Sequence, residues 1–110
     1  MKYLVTSHSR VPAARMEAAP EMAKAILKMN RAAKKWVEEE KKAGRLIDAW
    51  AKTDNSGCVW LWDVESNYSL FNKLNENPAA SFVDYTVTPV IDMEKALETL
   101  FQRTKRLIKE

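Results

Sequence analysis

The sequence predicts an α+β fold of order β-α-β-β-α-β with an added C-terminal helix, and three observations predict it. Extended runs with two-residue alternation fall near residues 2–9, 45–52, 58–64 and 82–88. Amphipathic helical stripes occupy 17–43, 68–75 and 92–109. A polar loop, Thr53-Asp54-Asn55-Ser56-Gly57, joins the second and third runs as a hairpin. This order is the ferredoxin-like split unit, a four-stranded antiparallel sheet with two helices on one face. The unit is expected at 1–90, with 91–110 forming an amphipathic helix packed on it or on a second copy.

Each element has a local reason. Tyr3, Val5 and Thr6 favour a first strand that Pro12 closes, with Tyr3, Val5 and Ser7 on one face and Leu4, Thr6 and His8 on the other. Met22, Ile26, Met29, Ala33 and Trp36-Val37 recur every three or four residues, with Pro20 in the first helical turn and Gly44 just past the last. After the hairpin, Ser66 or Asn67 caps a short helix striped by Leu70, Phe71 and Leu74, and Asn77-Pro78 ends it. Phe82 to Thr88 alternates as a fourth strand ended by Pro89. Met93, Leu97, Leu100, Thr104 and Leu107 stripe the last helix, whose start lies near Asp92.

Composition narrows the function classes. The 110 residues suffice for one core, and 18 Lys plus Arg against 15 Asp plus Glu give a net charge of +3 with the signs mixed along the chain. Arg103, Lys105, Arg106 and Lys109 complement the dipole of the helix they end, so neither nucleic acid nor membrane is an expected partner. Cys58 is the sole cysteine, which excludes an intramolecular disulfide and a zinc module, and no metal or other cofactor is expected. The first residues lack the apolar length of a signal peptide, and no run reaches a membrane span, so a cytoplasmic location is expected. The methionines at helical spacing read as packing, and Cys58 has no nearby histidine to make it a nucleophile.

Two helices cover one face of such a sheet. Small and β-branched residues, namely Val5, Ile47, Ala49, Val59, Leu61, Val83, Tyr85 and Val87, are assigned to the helix side. The other face then carries Thr6, His8, Asp48, Trp50, Trp60, Trp62, Phe82, Asp84 and Thr86, too aromatic for water. A second copy packed sheet to sheet covers it, so a homodimer or higher homo-oligomer is expected. The acids on that face either line a small-ligand pocket with the aromatic residues or pair with Arg and Lys across the dimer or at the strand ends.

From Gly44-Arg45 through Trp50, Trp60-Leu61-Trp62-Asp63-Val64-Glu65-Ser66, Leu70, Leu74 and Asn77-Pro78 to Phe82-Val83-Asp84-Tyr85-Thr86-Val87-Thr88-Pro89, the sequence resembles muconolactone isomerase and its dimeric α/β-barrel relatives. The resemblance implies a pocket on the barrel face in which a carboxylate or imidazole shuttles a proton alpha to a carbonyl. Trp50, Asp63, Pro78 and Asp84 match the family pattern. The chain departs from it at Ala33, where the family has an acid on the first helix, at Asp48 for a histidine on the second strand, and at Thr86 for a glutamate on the fourth.

His8, the sole histidine, is then the candidate proton-transfer group, with Asp48 or Asp84 orienting its ring. Thr6, Trp50, Trp60, Trp62, Phe82 and Thr86 are the candidate substrate-binding residues. The expected activity is that of an isomerase, lyase or cyclase on a small cyclic carbonyl compound. Two alternatives remain: a cofactor-free monooxygenase resembling the antibiotic-biosynthesis type, using Trp60 and Trp62, and a non-catalytic ligand-binding or assembly protein. Haem would require His8 as its axial ligand. A cavity of roughly 300 Å³ or more beside His8 separates small-molecule chemistry from a purely structural role.

Overall fold

A computed structural model describes residues 1–10 and 19–109. It contains β1 (Lys2–Ser9), α1 (Pro20–Lys42), β2 (Leu46–Ala51), β3 (Cys58–Asp63), α2 (Asn67–Glu76), a 3-10 turn (Ala80–Phe82), β4 (Val83–Val90) and α3 (Met93–Lys109), in the predicted order. The expected strand closure by Pro12 and the helix start at residue 17 lie outside the described residues. The sheet order is β2-β3-β1-β4, with every neighbouring pair antiparallel. β1 and β2 therefore run in one direction with β3 between them, which is the split crossover made by α1.

The punctuation residues set the element ends. Pro20 occupies the first turn of α1, where its missing N–H costs nothing. Gly44 follows at φ +79°, in the left-handed region that closes helices. Ser66 caps α2 by accepting a hydrogen bond from the Ser69 N–H at 3.1 Å. Phe82 ends the 3-10 turn instead of opening β4, and its carbonyl accepts from the Arg10 N–H at 2.9 Å. Pro89 does not terminate β4; it pairs with Tyr3, and the strand runs on to Val90 because an edge strand tolerates a missing ladder N–H.

Strand register decides the faces, and it overturns part of the expectation. Tyr3 lies opposite Trp62 and Val5 opposite Trp60, so both tryptophans share the helix-covered face with Tyr3 and Val5. Trp60 is 5% exposed and Trp62 fully buried. Val59 and Leu61 consequently belong to the open face, and Ile47 is exposed at a register irregularity between Leu46 and Asp48. The physical reason is volume: on this side the sheet must meet Trp36 of α1, and large rings fill the space. Trp36 contacts Trp60 and Trp62 at centroid distances of 5.7 and 5.6 Å, and Trp60 meets Trp62 at 6.1 Å and Tyr85 at 5.9 Å. Leu46, Val64, Leu70 and Leu74 complete the core. Each buried indole removes roughly 150–250 Å² from water, worth about 4–6 kcal/mol by area.

Candidate active site

Where α1 crosses the sheet near the end of β1, side chains enclose a cleft of about 470 Å³. Ala33, Trp36 and Val37 of α1 line it, as do Trp60 and Val83, with Ser7, Cys58 and Asn77 as its polar groups. Lys34, Glu38 and Lys41, all exposed, supply its charges. The polar positions are fixed. The buried Ser7 Oγ accepts from the Cys58 N–H at 2.9 Å. Asn77 accepts from the Ala79 N–H at 3.0 Å and donates to the Tyr85 hydroxyl at 2.8 Å, which in turn donates to the Leu74 carbonyl at 3.2 Å. Burial pushes the Tyr85 phenol above its usual range, against the opposing effect of the Asn77 bond, so this group stays protonated at neutral pH. The Trp36 indole N–H is buried without an acceptor among the described residues.

Gly57 holds the two strands together at this end of the sheet. A Cβ there would lie 2.0 Å from the Ser7 carbonyl oxygen, so only glycine permits the approach.

The open face gathers most of the other predicted residues. His8 lies opposite Asp84 and Thr6 opposite Thr86; the next strands add Val59 and then Trp50 in the row of Thr6. Asp84 pairs with Arg10 at 3.4 Å, and Asp48 with Lys41 at 3.7 Å. The acids thus have cationic partners within the chain. Asp48 is opposite Leu61, itself opposite Leu4, so it lies roughly 16 Å from the His8 position by strand geometry and cannot orient that ring. Thr6, His8, Asp48, Trp50, Asp84 and Thr86 share this face; Trp60 lines the cleft beneath α1, Trp62 is core, and Phe82 precedes β4.

A third feature, not legible in the sequence pattern, is a buried carboxylate on α1. Glu40 is 4% exposed on α1, accepts two bonds from Arg45 at 2.5 and 3.2 Å and one from Lys73 at 3.0 Å, and Lys73 also meets Glu76 at 2.9 Å. Burial works to raise its carboxyl, but the two cations outweigh burial and hold it below its ordinary value. This network ties α1 to α2 and borders a second, charged cavity of about 670 Å³. No group of three or more residues able to hold a metal ion occurs among the described residues.

A family model for muconolactone delta-isomerase matches residues 1–95. The chain belongs to the muconolactone delta-isomerase family. The family is one of small-molecule isomerases, and α3 continues past the matched residues. Among curated proteins none matches the sequence. Among solved structures, 5-chloro-2-hydroxyhydroquinone dehydrochlorinase from Burkholderia phenoliruptrix AC1100, in complex with 2,5-dihydroxybenzoquinone, superposes with a TM-score of 0.64 at 14% identity. The match covers 86% of this chain and 98% of that one, and it supports the shared fold. Ala33 lines the α1 cleft. No helix among the described residues is long and apolar enough to cross a membrane.

Proposed function

We propose that this chain is an isomerase or lyase that moves a proton on a small oxygenated ring compound held in the α1 cleft. The observation that carries the reading is the cleft itself: aromatic walls from Trp36 and Trp60 with convergent Ser7, Cys58 and Asn77, the usual make-up of a small-ligand site. Family membership supports it. Lys34 and Lys41 provide cations for an acidic substituent, and Glu38, the carboxylate of the lining, takes the proton from the ring carbon gamma to the conjugated carbonyl and returns it at the alpha carbon as the double bond shifts. The test is deuterium incorporation into muconolactone in D₂O, followed by proton NMR. Exchange is expected with the native chain and should fall roughly 10²-fold or more in Glu38→Gln. An undiminished rate in that variant contradicts the assignment, and binding without exchange favours the ligand-binding alternative.

A second reading rests on the register that sets His8 against Asp84 and Thr6 against Thr86 on the open face. There His8 shuttles the proton and Asp84 orients it, and His8→Gln, not Glu38→Gln, is the variant that stops exchange.

The working unit in either reading is a homodimer packed through the open faces, where Leu4, Val59, Leu61 and Trp50 leave apolar surface uncovered. Sedimentation at micromolar concentration should give a dimer; a single 12.6 kDa species contradicts it.

A further inference from the structure

Two hydrogen-bond donors in the α1 cleft have no acceptor. Ser7 and Asn77 are the buried polar side chains of its lining, 3% and 8% exposed. A serine hydroxyl has one hydrogen to donate, and the Ser7 Oγ already accepts from the Cys58 N–H at 2.9 Å. Its own hydrogen meets no acceptor among the described residues. An asparagine amide has two hydrogens. One from Asn77 goes to the Tyr85 hydroxyl at 2.8 Å while its Oδ1 accepts from the Ala79 N–H at 3.0 Å, so the second hydrogen has no partner among the described residues. Nearby acceptors are occupied: the Gly57, Asn77 and Ala79 carbonyls accept from the Lys52, Ala80 and Phe82 N–H groups, each at 2.9 Å. A buried donor without an acceptor is unfavourable, and a ligand that brings an acceptor oxygen relieves it.

Both donors are held in place before any ligand arrives. Ser7 is tied to β3 through Cys58, and Gly57 packs so closely over it that an added Cβ would lie 3.1 Å from its Oγ. Asn77 is bonded at both ends of its amide, and the Tyr85 hydroxyl it meets donates onward to the Leu74 carbonyl. Ser7 lies opposite Tyr85 across β1 and β4, and Asn77 holds the hydroxyl end of the same ring, so the two donors flank the Tyr85 side chain. Accepting the Cys58 N–H also polarises the Ser7 O–H and makes it the stronger donor. Glu38 comes from α1 and Ser7 from β1, so carboxylate and hydroxyl approach a bound ring from different walls of the cleft.

We propose that Ser7 is a catalytic residue of the cleft: its hydroxyl donates to the carbonyl oxygen on which charge builds when Glu38 removes the gamma proton, and Asn77 gives its second amide hydrogen to another oxygen of the same ligand. The electron pair of the broken C–H bond moves through the double bond onto the carbonyl oxygen. Ser7 keeps its proton throughout and only hydrogen-bonds that oxygen. When Glu38 returns the proton at the alpha carbon, the pair leaves the oxygen and the carbonyl re-forms. A fixed donor aimed at an oxygen that gains charge lowers the barrier more than it tightens ground-state binding. The inference rests on the proton-transfer reading of the cleft given above.

The test follows steady-state deuterium exchange into muconolactone with the full chain and three variants, each checked by near-ultraviolet circular dichroism for native tryptophan packing. Ser7→Ala should lower kcat roughly 10²-fold and leave KM within about threefold. Asn77→Asp keeps the oxygen that accepts from Ala79 but loses the donor, and it should raise KM about tenfold. Ser7→Thr keeps the hydroxyl and should hold kcat within about fivefold of native, so it and Asn77→Asp carry the test where Ser7→Ala does not fold. Exchange that Glu38→Gln stops but a folded Ser7→Ala leaves unchanged overturns the inference and spares the cleft reading. Equal losses of kcat in folded Ser7→Ala and Ser7→Thr mark a packing role and overturn it as well. A native chain that binds muconolactone without exchange overturns both the inference and the reading on which it rests.

Discussion

Trp60 pairs with Ala49 and Trp50 with Val59, so two tryptophans on neighbouring strands point to opposite sides of one sheet. Trp62→Ala therefore removes a fully buried ring in contact with Trp36 and Trp60 and should cost about 3–5 kcal/mol in denaturant unfolding. Trp50 is 51% exposed, and Trp50→Ala should cost the fold less than about 1 kcal/mol while weakening any assembly through the open face. Glu40 adds a pH dependence. Its folded pKa lies below the ordinary 4.5, so the unfolded chain binds the proton more readily, and stability falls as pH drops from about 4.5 through the depressed value. Glu40→Gln should lower neutral-pH stability by about 1–3 kcal/mol and flatten that acid limb; an unchanged limb would show that Glu40 does not dominate it. This residue was not legible in the sequence. It sits one turn after Trp36 on the same stripe, but its burial depends on Lys73, 33 positions away, and a charge in a Lys/Glu-rich helix reads as solvated surface.

At the scale of elements, the helix ends are legible in the sequence because a cap or breaker acts locally there, whereas Pro89 sits within an edge strand that runs on to Val90. Pro20, Gly44 and Ser66 each fix an end through their own backbone or side chain. What local signals do not carry is which half of an alternating strand faces the helices. In β3 the two sets are Val59 and Leu61 or Trp60 and Trp62, and the choice follows from pairing with Tyr3 and Val5 in a strand more than 50 residues earlier. The same long-range fit makes the β2–β3 hairpin sensitive at one point. Gly57→Ala places a methyl against the Ser7 backbone and should cost roughly 1–3 kcal/mol, read from the denaturation midpoint. It should also weaken ligand binding in the cleft, since Ser7, Gly57 and Cys58 all line it. A Gly57→Ala protein with native stability would mean that the two strands separate there at little cost.

For the whole molecule, one sheet offers two chemically different surfaces. The helix side holds the cleft with Trp36 and Trp60; the open side holds His8, Asp84 and Trp50 on a partly apolar plane that a second copy would cover. The family and the fold were visible in the motifs from Gly44 to Pro89, whereas the cleft was not, because its lining combines α1, β1, β3 and the segment after α2. The four tryptophan side chains separate the two possible sites directly. In a nitrogen-15 correlation spectrum of the indole N–H groups, titration with muconolactone should shift Trp36 and Trp60 and leave Trp50 in place. A shift of Trp50 with Trp36 and Trp60 unmoved would contradict the account and assign the ligand to the open face.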